Sequence, residues 1–70
     1  MKNNTQFKLA IKNILDGLIK NAKNIISQEK RGEIDKNQAN DIILQIEGTY
    51  QVICEIYDIH SNFYDEMNLK

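Results

Sequence analysis

The sequence predicts an all-α protein, an antiparallel two-helix hairpin, on three observations. Apolar residues recur at intervals of three and four in both halves of the chain, proline is absent, and one strong stop-and-start signal sits near residue 32. No alternation of period two competes with that spacing, so strands are not expected.

The first helix is expected over about residues 5–31. Phe7, Ile11, Ile14, Leu15, Leu18, Ala22, Ile25 and Ile26 share one face of roughly 120°, with Ile19 at its edge. Asn4 or Thr5 is the expected N-cap. Lys30 and Arg31 suit the negative end of the helix, and Gly32 can take the left-handed conformation that stops it. Residues 32–35 are the expected turn. Asp35 then caps the second helix, with Gln38 completing a capping box and Ile34 placed to staple against Ala39. So short a connection makes the helices antiparallel neighbours.

The second helix is expected over about residues 36–68. Its stripe runs through Ala39, Ile42, Ile43, Ile46, Tyr50, Ile53, Ile56, Tyr57, His60, Phe63, Tyr64 and Met67. Gly48, followed by β-branched Thr49, is its weak point, so three helices with a break near Gly48 is the structural alternative. The preferred reading keeps the helix continuous, because the apolar spacing passes Gly48 without a phase shift.

A chain of 70 residues buries only about 60% of the surface its unfolded form exposes, so something must add to its core. A single cysteine, Cys54, excludes an internal disulfide, and one Cys with one His falls short of a four-ligand zinc site. Association remains, and two hairpins pairing into a four-helix bundle is the expected homodimer. The abundance of Ile, Lys and Asn is what AT-rich codons give, which suits a low-GC bacterium or one of its phages or mobile elements. Lys12 and Asp16 interrupt the N-terminal apolar run, so neither a signal peptide nor a membrane span is read there, and a cytoplasmic protein with Cys54 reduced is expected.

Residues 50–64, YQVICEIYDIHSNFY, gather every tyrosine, the cysteine and the histidine. Within one continuous helix Cys54 and His60 stand about 9 Å apart along the axis and about 120° apart around it, too far to act together. No Glu-x-x-His, phosphate-binding glycine loop or metal-binding loop is present, so the sequence predicts no enzyme and no cofactor. Tyr50, Tyr57 and Tyr64 instead form one line at seven-residue steps, and Val52, Ile56, Ile59 and Phe63 widen the apolar sector to roughly 200°, more than one neighbouring helix covers. The expected dimer or partner interface is therefore Tyr50, Val52, Ile53, Ile56, Tyr57, Ile59, His60, Phe63 and Tyr64.

Charge is divided along the chain. Residues 1–32 hold seven Lys/Arg against two acids, and residues 33–70 hold two Lys against eight acids. Lys8, Lys12, Lys23 and Lys30 cluster on one side of the first helix and form a candidate nucleic-acid face, although Asp16 sits among them. The layout, rather than any motif, is similar in topology to dimeric helical-hairpin RNA-binding regulators of plasmid copy number. The leading expectation is a small protein-binding regulator or inhibitor that uses the apolar, aromatic and acidic surface of its second helix. An RNA- or DNA-binding hairpin dimer is second.

Overall fold

The computed structural model describes residues 2–67, and these form three helices with no strand: α1 (Lys2–Lys30), α2 (Lys36–Ile56) and α3 (Phe63–Met67). The hairpin is present, since the two long helices lie side by side. No described helix is long and apolar enough to cross a membrane. Helix α1 begins at Lys2, so Asn4 and Thr5 lie within its backbone rather than capping it.

The turn between α1 and α2 forms as its residue types require. Gly32 has φ 77°, and the Gly32 and Glu33 amides donate back to the carbonyls of Glu29 (3.0 Å) and Gln28 (2.9 Å), which closes α1. The Arg31 guanidinium sits 2.7 Å from the Glu33 carboxylate across this turn. Asp35 caps α2 by accepting the Gln38 amide at 2.8 Å, while the Gln38 side chain accepts the Asp35 amide at 3.1 Å, a complete capping box.

The expected continuous second helix is corrected. Helix α2 runs through Gly48 unbroken but ends at Ile56, so the chain has three helices with the break at residues 57–62 instead of near Gly48. The expected terminus at residue 68 lies outside the described residues. The break has the same construction as the first turn. Asp58 takes φ 55°, the Ile59 amide donates to the Cys54 carbonyl at 2.8 Å, and the Asp58 amide reaches the Glu55 carbonyl at 3.4 Å. Asn62 then starts α3: its side chain accepts the Asp65 amide at 3.1 Å and its carbonyl accepts the Glu66 amide at 3.0 Å.

After this turn α3 folds back onto the hairpin. Phe63 and Met67 join Ile11, Leu15, Ile19, Ala22, Tyr50 and Cys54 in the buried core. Tyr50 is 2% exposed, meets Phe63 edge-on with ring centroids 5.6 Å apart, and shares a 2.6 Å hydrogen bond with the Ser61 hydroxyl. That bond satisfies the phenol at the edge of the core and ties the turn to α2. The α1 core line is also rotated from its expected position. Ile19, expected at the edge, is buried, whereas Ile14 is 51% exposed, because α3 covers the Ile19 side of α1 and nothing among the described residues covers the Ile14 side.

Candidate functional site

The residues expected to make one contact surface are divided by the break. Tyr50 and Phe63 are core residues, and Ile53 and Ile59 are half-buried against that core. Ile59 owes its position to the reversal at Asp58, which turns it inward. Tyr57 and Tyr64 remain partly exposed. Tyr57 stacks edge-on with Phe7 of α1 at 5.2 Å, and Tyr64 leans on Phe63 at 5.1 Å while its hydroxyl donates to the Glu47 carboxylate at 2.9 Å. That acidic acceptor pushes the Tyr64 phenol above its ordinary pKa. Val52 and Ile56 stay in solvent, Ile56 being 66% exposed. His60 is also exposed, with its Nε2 3.5 Å from the Asp58 carboxylate.

Cys54 is buried, and burial pushes its thiol pKa up. The reversal brings Cys54 and His60 to the lining of one shallow pocket of about 490 Å³, a juxtaposition that a straight helix forbids. Burial that raises a thiol's pKa makes it a weaker nucleophile than an exposed one.

The larger cavity, about 610 Å³, opens between the first half of α1, the 57–61 turn and α3. Ile11, Leu15 and Ile59 make an apolar floor with the Phe7–Tyr57 pair at one end. Lys8 and Lys12 rim it from α1, and Asp58 and Glu66 from the turn and α3, with Asp16 beside Lys12 at 3.7 Å. Reading the chain as two straight helices hides this site, because Asp58, Ile59, Ser61 and Glu66 reach it through the reversal and α3. The available signal was Asn62, a good N-cap residue followed by acids at 65 and 66 that suit the first turn of a new helix.

The four lysines of the candidate nucleic-acid face are all exposed. Lys8 and Lys12 line the cleft, whereas Lys23 and Lys30 lie further along α1, and Lys12 is already near Asp16. What fold and site together define is a small all-α domain, a helical hairpin closed on one flank by a short third helix and carrying an apolar cleft with a mixed-charge rim. No protein-family model matches this chain, and no curated protein or solved structure matches it.

Proposed function

We propose that this protein is a non-enzymatic binding module that regulates or inhibits a protein partner by seating a segment of it in the cleft at the aromatic end of α2. The observation that carries this reading is the cleft's combination of an apolar floor, an exposed aromatic pair and a rim of both charge signs. Phe7 is 51% exposed and Tyr57 42% exposed, a cost in wet aromatic surface that a partner side chain would remove. The occupant that fits is a peptide segment with an apolar side chain for the floor, an acidic residue facing Lys8 and Lys12, and a basic residue facing Asp58 and Glu66.

The test places a photo-crosslinking amino acid at position 57 and, as a control, at exposed position 51. A single protein crosslinked from position 57 only, and bound as a purified partner at least about tenfold more weakly by Phe7→Ser, supports the reading. Equal crosslinking from both positions, or affinity indifferent to Phe7→Ser, overturns it. Salt-sensitive binding to RNA that Lys23→Ala and Lys30→Ala abolish, with Phe7→Ser silent, would favour the nucleic-acid reading instead.

A further inference from the structure

The cleft lies on the flank of the hairpin that α3 closes. The opposite flank has a different character. On α1, Ile14, Leu18 and Ile25 fall roughly 20–60° to one side of the Ile11 line, and on α2, Ile42, Ile46 and Ile53 fall roughly 40–80° to one side of the Tyr50 line. Because the helices run antiparallel, these offsets bring both sets to the same side of the hairpin. Glu47 and Cys54 lie to the other side of the Tyr50 line, where Tyr64 bonds Glu47 and Phe63 shares the core with Cys54. The six residues are thus left only half-buried or exposed.

Charge singles out this flank further. Over roughly 140° of the circumference of each helix on that side, no Lys, Arg, Asp or Glu occurs in residues 6–28 or 36–56. The polar groups present are mostly amides, with Asn21 and Gln28 on α1 and Gln45 on α2, and an amide both donates and accepts. Gly17 lies on the same flank, and a Cβ there would meet nothing within 4 Å in its own chain. A mid-helix glycine costs about 1 kcal/mol relative to alanine, so room for a second backbone gives it a use that its own chain does not.

We propose that this flank is the docking surface for a second copy of this chain. The two copies are related by a two-fold axis, α1 and α2 of each form a four-helix core, and each α3 lies on the outside. A two-fold axis sets a surface against itself, so a charge near the axis would approach its own copy, and one further out would need an opposite charge that this flank does not carry. A charge-free flank with donor-acceptor amides is self-complementary without such a clash. The flank runs about 27 Å along each helix and about 20 Å across the two, so a pair of copies buries roughly 1,100 Å², past the approximately 1,000 Å² that a specific interface needs. This interface differs from the one expected on the tyrosine line, and it leaves the Lys8, Lys12 and Glu66 side of each cleft facing away from the partner copy.

Sedimentation equilibrium with far-ultraviolet circular dichroism tests the proposal on four proteins. The wild type is expected to be a dimer at micromolar concentration, and Ile14→Glu a helical monomer. Asn21→Asp, nearly isosteric and exposed in the single chain, is expected to dissociate at least about tenfold more readily, and it carries the test if Ile14→Glu fails to fold. Leu44→Ser, exposed on the α3 flank, is expected to dimerise like the wild type. A monomeric wild type, a dimer indifferent to Asn21→Asp, or dissociation by Leu44→Ser would each overturn it. Mass is read here without any partner, so the outcome is independent of crosslinking at position 57.

Discussion

The two flanks of this hairpin both carry aliphatic residues, yet one also carries charge and is closed by α3 while the other is charge-free and left open. On one flank the chain reverses at Asp58 and lays Phe63 and Met67 over Leu15, Ile19, Tyr50 and Cys54. On the other flank Ile14, Leu18, Ile25, Ile42, Ile46 and Ile53 are covered only by their neighbours, and Ile14 is half in water. A five-residue helix buries part of one side of a two-helix hairpin and none of the other. The chain's apolar excess is thereby split into a part used for folding and a part left at the surface.

The largest effect expected from breaking this contrast is on the closed flank. Phe63→Ala removes a ring that is fully buried against Tyr50, and such truncations cost about 3–5 kcal/mol. A small domain has only about 0.05–0.15 kcal/mol per residue in total, so urea unfolding should show most of the stability gone. Ile14→Ala on the open flank, measured at concentrations where the chain is monomeric, should cost about 1 kcal/mol. Equal losses at the two positions would mean that the flanks are not different.

A smaller and more diagnostic effect lies at the two chain reversals. Both use a residue with positive φ, Gly32 after α1 and Asp58 after α2, and both close with an amide donating five residues back. Glycine takes that conformation freely, whereas an L side chain pays about 1–2 kcal/mol, somewhat less for Asp. Gly32→Ala should therefore lower stability by about 1 kcal/mol and Asp58→Gly should raise it by up to about 1 kcal/mol, both read from denaturant midpoints. A destabilised Asp58→Gly would show that the Asp58 carboxylate itself holds the reversal.

This pair also explains what was legible in the sequence. The first turn used the residue types that mark a turn, Gly32, Asp35 and Gln38, and its hydrogen bonds follow from them. The second turn hides its positive φ under an aspartate. Its apolar residues keep intervals of three and four through Ile56, Ile59, Phe63 and Met67, a pattern that reports which side of a helix is apolar but not whether the helix goes on straight. For that reason the spacing places Tyr50 and Phe63 at a dimer or partner interface, whereas both are in the chain's own core, and the cleft, lined in part by the 57–61 turn and α3, is not readable from it. The rotation of the α1 core toward Ile19 has the same cause.

The smallest effect concerns alkaline pH. Tyr64 is raised by its bond to Glu47, and Tyr50 and Cys54 are raised mainly by burial. All three therefore ionise at higher pH folded than unfolded. Their contribution is complete below the ordinary thiol and phenol values of about 8.5 and 10, and it is lost as pH rises from those values through the folded ones. Stability should fall over that range. Tyr64→Phe, which removes one exposed hydrogen bond of about 0.5 kcal/mol, should make the fall slightly shallower, and a profile flat above pH 9 would contradict the placement of these groups.

The contrast between the flanks is tested most directly by an isotope-filtered nuclear Overhauser measurement on a mixture of labelled and unlabelled chains. The account predicts contacts from the Phe63 ring to Tyr50 and Leu15 within one chain, and contacts between chains confined to the methyl groups of Ile14, Leu18, Ile25, Ile42, Ile46 and Ile53. Contacts between chains at Phe63 and Met67, with helical shifts running unbroken from residue 36 to 67, would contradict it.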